Sequence, residues 1–112
     1  MNDAPYAHIG VLVHNIQEAI ERYSRLGLTF MEPHTVEVGH LADEDGQIKQ
    51  IELRIAFSQE GPPHWELLQA VGDGIYGPHH VGTLHHVAVL AGNPIARREG
   101  LVRQGFREVA AQ

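Results

Sequence analysis

Two stretches of the chain repeat one pattern of hydrophobic and polar positions, with a constant offset of 78 residues. The first, residues 7–28, reads AHIGVLVHNIQEAIERYSRLGL, and the second, residues 84–106, reads LHHVAVLAGNPIARREGLVRQGF. Identical pairs include His8 and His86, Asn15 and Asn93, and Gly27 and Gly105. In each copy a histidine begins a short apolar run, an asparagine follows it, and a glycine closes a helical stretch. A constant internal offset of this kind indicates a duplicated supersecondary unit.

The first copy predicts a strand followed by an amphipathic helix. Residues 8–13 are apolar and largely β-branched, and alternation places His8 and Leu12 on one face of the strand and Val11 on the other. Asn15 is suited to cap the helix that follows. The apolar stripe of that helix consists of Ile16, Ala19, Ile20, Tyr23 and Leu26. This stripe must cover the Val11 face, so we expect His8 on the opposite face.

Between the two copies, the pattern predicts three more strands. Residues 29–39 form an extended segment interrupted by Pro33. Residues 48–58 alternate clearly, with an apolar face opposite Glu52, and residues 64–70, HWELLQA, alternate in the same way. The second copy then predicts another strand, another helix and the start of a further strand.

Two connecting segments carry turn residues. The acidic run from Asp43 to Gly46 is predicted to be a solvated hairpin loop, because a calcium loop needs more oxygen ligands at longer spacing. Residues 71–83 contain four glycines and a proline with little periodicity, and we interpret them as a linker between the repeats.

These elements predict an α+β fold in a single domain over residues 1–112. It consists of a βαβββ module at about residues 6–70, the linker at about residues 71–83, and an incomplete second module at about residues 84–112. Open strand edges and an uncovered apolar face in the second module predict a homodimer.

Composition narrows the range of partners. The 112 residues carry a net charge of −6, which argues against nucleic acid and favours a small molecule or a protein. The sequence has no cysteine and no apolar run of membrane-spanning length. Its first residues lack the features of a signal peptide, so the expected location is the cytoplasm.

Three segments together resemble the vicinal oxygen chelate superfamily, which includes glyoxalase I, methylmalonyl-CoA epimerase, extradiol dioxygenases and bleomycin-resistance proteins. HIGVLVHNIQEAIERYSRLGL resembles the opening strand and helix of that fold, WELLQ the strand that ends the first module, and GTLHHVAVL the strand that opens the second. The resemblance implies that the mixed sheet curls into a cleft that holds a divalent metal ion.

Carried over by position, the resemblance implies that His8, Glu66 and His86 are metal ligands, and Glu52 roughly matches the position of a catalytic base. The alternative for Glu52 is an ion pair with Arg54 or another cross-strand neighbour. His85, next to His86 on a strand, is expected to point to the opposite face, so that its replacement leaves metal binding intact. The family's fourth ligand, a late acidic residue, has no counterpart here. A partner subunit, water or a missing C-terminal segment is expected to fill that position.

The resemblance implies a metal-dependent isomerase or lyase of glyoxalase or epimerase type. It would act on a small carbonyl or acyl-CoA substrate by proton transfer through a metal-stabilised enediolate, with zinc, nickel, cobalt, manganese or iron as the ion. The alternatives are a non-catalytic binding protein of the antibiotic-sequestering type and an iron-dependent dioxygenase.

Overall fold

A computed structural model describes residues 6–42, 48–108 and 110–111 of the chain. Its strands are β1 (Tyr6–Val13), β2 (His34–Ala42), β3 (Ile48–Phe57), β4 (His64–Gln69), β5 (Leu84–Val89) and β6 (Ala110–Ala111), and its helices are α1 (Ile16–Ser24) and α2 (Pro94–Arg103). The order of elements confirms the predicted module followed by the beginning of a copy. The acidic turn predicted at residues 43–46 lies outside the described residues.

The six strands form one open, curled sheet in the order β5-β1-β4-β3-β2-β6. Strands β1 and β4 are parallel, and the other neighbouring pairs are antiparallel. The predicted α+β class with a mixed sheet is therefore confirmed. Because β1 lies between β4 and β5, it pairs both with the strand that ends the first module and with the strand that opens the copy.

Hydrophobic side chains pack on both faces of this sheet. On one face, Ile16 and Ala19 of α1 contact Ala56 and Leu67 of the sheet, and all four are buried. The buried cluster on the other face consists of Leu12, Val38, Leu53, Ile55 and Leu68. Leu12 therefore lies on the face opposite the helix, as the alternation of residues 8–13 predicted, and His8 shares that face with it.

The two copies of the repeated pattern use the same local devices. The side chain of Asn15 accepts a hydrogen bond from the backbone N–H of Glu18 at 3.0 Å, and Asn93 accepts one from Ala96 at 3.1 Å. Each helix therefore begins with a satisfied N-cap, which is worth about 1 kcal/mol. Gly27 and Gly105 follow their helices with φ of 92° and 99°, a conformation that disfavours a residue with a Cβ atom.

The linker of residues 71–83 lies against the sheet and is not a loose connection. Ile75, Tyr76 and Val81 pack on the cluster around Leu12, and a short 3-10 helix spans Pro78–His80. Turn residues predicted an irregular segment, but they do not show where such a segment packs. The linker leads directly into the first residues of β5, so its packing helps to fix where β5 begins.

The second unit is much less covered than the first. Helix α2 has no buried residue among those described. Seven large apolar side chains between residues 84 and 106 are exposed, namely Leu84, Val87, Val89, Leu90, Ile95, Val102 and Phe106. Neither helix has the length and apolar character needed to cross a bilayer, within the part of the chain that the structure describes.

Candidate metal centre

Three adjacent strands each supply one side chain to a cluster on the face opposite α1. Gly10 of β1 is in register with Glu66 of β4 on one side and with His86 of β5 on the other. Residues that are paired across neighbouring strands point to the same face. His8, two positions before Gly10, therefore points to the face that carries Glu66 and His86.

The potential ligand atoms of this cluster converge closely. Nε2 of His8 lies 3.0 Å from Nε2 of His86 and 3.3 Å from Oε1 of Glu66, and Nε2 of His86 lies 3.0 Å from the same Oε1. The structure thus brings together the three residues predicted from the sequence as metal ligands. Their role as ligands stays a prediction.

The site is sheltered from solvent. Glu66 is 7% exposed, and the two imidazole rings are partly buried. Burial lowers the pKa of His8; the Glu66 carboxylate partly raises it, and His86 and His64 lower it again, so that the net shift is downward. His8 is therefore neutral at neutral pH, with a ring nitrogen available as a donor to an ion.

The spacing of the donor atoms fits a divalent ion. With metal–ligand distances of about 2.1 Å, neighbouring ligands of an octahedral ion are about 3.0 Å apart and those of a tetrahedral ion about 3.4 Å apart. The separations of 3.0, 3.0 and 3.3 Å fall in this range. Two imidazoles and one carboxylate are a donor set that zinc, iron, nickel, cobalt and manganese accept. The residues present therefore fit such an ion.

Gly10 makes room for the ring of His86. A Cβ atom at position 10 would lie 2.3 Å from Cε1 of His86 and 2.6 Å from its Nδ1. This glycine is needed for a close approach and not for an unusual backbone conformation. A glycine inside a strand often indicates that another group approaches the backbone closely, and Gly10 is the feature of the sequence that indicates this contact.

The expectation that His85 points away from His86 is wrong. In regular pairing Val11 would face His85, but it faces Leu84, so β5 carries one extra residue beside Gly10. This β-bulge leaves both imidazoles on the same side. Nδ1 of His85 lies 2.8 Å from Nδ1 of His86. The group of three side chains that could hold a metal ion, among the described residues, is His8, Glu66 and His86 and does not include His85.

Glu52, the predicted base, is not brought to this cluster. It is exposed and shares the face of Ala56, which packs against α1, whereas the neighbouring Leu53 is buried on the face of the site. The alternation of β3 therefore directs its carboxylate away from the site. Its placement gives no support to a role as the base.

His64 lies on the same face of the sheet as the cluster of His8, Glu66 and His86. It is in register with His8 across β1 and β4, and its charge affects the pKa of His8. Its Nδ1 lies 2.8 Å from the carbonyl oxygen of Ser58, which can only accept a hydrogen bond. Nδ1 of His64 therefore carries the proton in the neutral ring, and Nε2 carries the lone pair.

A cavity of about 410 Å³ adjoins the cluster at β5. Its lining residues are Ile75, Tyr76, His80, Thr83, Leu84, His85 and His86. A second cavity, of about 480 Å³, lies between α1 and β5 and is lined by none of the three potential ligands. The first cavity is the one that can place a small molecule beside the site.

The sheet and the cluster define a class of domains in which repeated strand and helix units build one mixed sheet with a candidate metal site on its open face. A family model described as the glyoxalase/bleomycin resistance protein/dioxygenase superfamily matches residues 7–112. The chain belongs to this superfamily, as the resemblance of its motifs predicted. Comparisons with curated proteins and with solved structures give no match.

Replacing Gly10 with alanine is expected to disturb the site from within the sheet. The added methyl group overlaps the His86 ring, so we expect a loss of about 1–3 kcal/mol in the free energy of unfolding. The control is Gly39→Ala, because a Cβ atom at Gly39 meets nothing within 4 Å. Urea denaturation of both variants makes the comparison, and equal losses would contradict the close approach.

Proposed function

We propose that this chain is a divalent-metal-dependent lyase or isomerase that moves a proton on the carbon next to a carbonyl group of a small substrate. Reactions of the glyoxalase type and of the acyl-CoA epimerase type belong to this class. The proposal is carried by one observation, the convergence of two imidazole nitrogens and one carboxylate oxygen within 3.3 Å of one another.

The chemistry of the three side chains suits this class of reaction. A bound divalent ion acts as a Lewis acid that stabilises negative charge on a carbonyl oxygen. Because His8, Glu66 and His86 approach from one sheet, they leave the opposite side open for the oxygens of a substrate. The cluster lies beside an apolar side chain, because the ring of Phe57 is in edge contact with the His8 ring at a centroid distance of 5.3 Å. Apolar neighbours exclude water and strengthen electrostatic interactions.

The side chain that we assign to proton transfer is His64. It lies on the same face as Glu66, two residues earlier on β4, and its neutral ring has the lone pair on Nε2. Histidine is the side chain that most often acts as a general base, and Nε2 of His64 is the nitrogen that would accept the proton. The carboxylate of Glu52 could also accept a proton, but Glu52 lies on the face of the sheet opposite the cluster.

Each of the variants His8→Ala, Glu66→Ala and His86→Ala is expected to abolish stoichiometric binding of a divalent ion. Each removes one of the donors, and the Glu66 variant also removes the negative charge that attracts the ion. Calorimetric titration of chelator-stripped protein with zinc, nickel, cobalt and manganese measures the loss. The control is His14→Ala, an exposed histidine that lies outside the cluster. Wild-type protein that takes up no ion would defeat the ligand assignment.

Replacing His64 with alanine is expected to slow proton exchange and leave the bound ion in place. We expect a loss of about 100-fold or more in the exchange of solvent deuterium into a reactive substrate, as for removal of a general base. The panel consists of 2-oxo acids, acyl-CoA thioesters and hemithioacetals, followed by mass spectrometry.

The matched control for this experiment is Glu52→Gln, which is expected to exchange as fast as the wild type. If Glu52→Gln stops the exchange and His64→Ala does not, the base is wrongly assigned. If the metal-loaded wild type exchanges no proton in any substrate, the proposed reaction class is wrong.

The same donor set also favours a second candidate function, an iron-dependent dioxygenase. Two histidines and one carboxylate on one side of an ion, with open positions opposite, are typical of non-haem iron oxygenases. Consumption of oxygen by iron-loaded protein with a catechol would favour this function. Proton exchange supported by zinc would favour the lyase or isomerase, because zinc has no redox chemistry with which to activate oxygen.

We further propose that the chain works as a homodimer. Among the residues that the structure describes, seven of the ten exposed large hydrophobic side chains lie between residues 84 and 106, and β5 is an edge strand of the sheet. A free edge beside exposed apolar side chains is a surface that a second chain can cover. A second copy could also supply the acidic side chain that the resemblance implies as the fourth metal ligand.

Light scattering is expected to give the mass of a dimer at micromolar concentration. In the variant Val87→Asp, a charge on β5 is expected to shift the mass towards that of the monomer, because a buried unpaired carboxylate is unfavourable. Glu18→Asp, on the exposed surface of α1, serves as the control. A monodisperse wild-type monomer would contradict the proposal.

A further inference from the structure

The bulge in β5 places two imidazole rings in direct contact beside the candidate metal centre. Nδ1 of His85 and Nδ1 of His86 are 2.8 Å apart. One of these two nitrogens must donate a hydrogen and the other must accept it. Which one donates is decided by the other end of the His85 ring.

That end is held by the linker. Nε2 of His85 lies 2.9 Å from the carbonyl oxygen of Ile75. A carbonyl oxygen only accepts, so Nε2 of His85 carries a hydrogen. In the neutral ring, Nδ1 of His85 then has the lone pair and must accept from Nδ1–H of His86.

The His85 ring is held firmly in this orientation. It stacks on Tyr76 with a centroid distance of 4.8 Å and an interplanar angle of 24°. Its two ring nitrogens are in contact with Nδ1 of His86 and with the carbonyl oxygen of Ile75. Both ring nitrogens are thus engaged, and His85 has no nitrogen left to bind an ion.

We infer that His85 is a positioning residue that places the ring hydrogen of His86 on Nδ1 and so directs the lone pair of Nε2 towards His8 and Glu66. The chain of hydrogen bonds runs from Nδ1–H of His86 to Nδ1 of His85 and from Nε2–H of His85 to the carbonyl of Ile75. This inference rests on the proposed metal site, and it replaces the expectation that loss of His85 leaves metal binding intact.

The atoms around Nε2 of His86 explain why this placement matters. This nitrogen lies 3.0 Å from Oε1 of Glu66, which would accept a hydrogen from it if one were present. A ring with its hydrogen on Nε2 cannot bind an ion through that nitrogen. A partner that fixes the other ring nitrogen as the donor is the usual way in which proteins prepare a metal-binding histidine.

Two variants separate the hydrogen bond from the packing of the ring. His85→Phe keeps an aromatic ring against Tyr76 but has no acceptor for Nδ1–H of His86. His85→Asn is smaller, but its side-chain oxygen can occupy the position of Nδ1 and accept that hydrogen. A residue that acted through packing alone would be replaced better by phenylalanine, whereas a hydrogen-bond acceptor would be replaced better by asparagine.

The deciding measurement is a nitrogen-15 NMR correlation of the histidine rings in the zinc-free wild-type protein. We expect Nδ1 of His86 to be protonated, and this protonation to be lost or reduced in His85→Phe and retained in His85→Asn. A wild-type ring with its hydrogen on Nε2 alone and a bare Nδ1 would overturn the inference.

Zinc titration gives the second measurement. We expect His85→Phe to bind zinc about 10–100-fold more weakly than the wild type, as for loss of a partner of a metal-binding histidine, and His85→Asn to recover most of the loss. Equal affinity of His85→Phe and the wild type would overturn the inference. If the wild type binds no zinc, the proposed metal site fails, and the NMR result still decides which nitrogen of His86 carries the ring hydrogen.

Discussion

The buried carboxylate of Glu66 lies about 3 Å from imidazole nitrogens of His8 and His86. The arrangement on this face of the sheet depends on a positive charge or a hydrogen bond that makes this contact favourable. Glu66 is 7% exposed, and a buried carboxylate is costly unless positive charge or hydrogen bonds balance it. Nε2 of His8 and Nε2 of His86 both approach the same oxygen, Oε1. Three atoms that all have lone pairs cannot lie this close without a positive centre among them. A proton on one ring can serve, and a divalent ion serves all three donors at once.

The fold provides this convergence through one strand. Because β1 pairs with both β4 and β5, each of the three strands contributes one side chain at nearly the same level. Gly10 supplies no side chain at the crossing point, so the His86 ring can lie over the backbone of β1. The linker then returns to hold His85 through Ile75. The site therefore depends on the sheet register, a small residue in its middle strand and a segment that connects the two repeats.

The sequence alone predicts much of this arrangement and misses identifiable parts of it. The repeat locates His8 and His86, and alternation puts His8 on the face opposite α1, because strand periodicity is local and regular. The bulge at His85 is not predictable from alternation. It inserts one extra residue that reverses the alternation of β5, and its position is set by how β5 pairs with β1. The alternation of β3 predicts the face of the sheet on which Glu52 lies. The resemblance transfers roles by position along the chain and takes no account of the face on which a side chain lies.

X-ray absorption spectroscopy of the protein loaded with one equivalent of zinc shows whether His8, Glu66 and His86 together hold a divalent ion. We expect the wild-type protein to show a first coordination shell of two imidazole nitrogens and oxygen ligands at about 2.0–2.1 Å, and we expect this shell to be lost in His86→Ala, which does not bind the ion stoichiometrically. A wild-type spectrum with a single imidazole, or one that His86→Ala leaves unchanged, would contradict it.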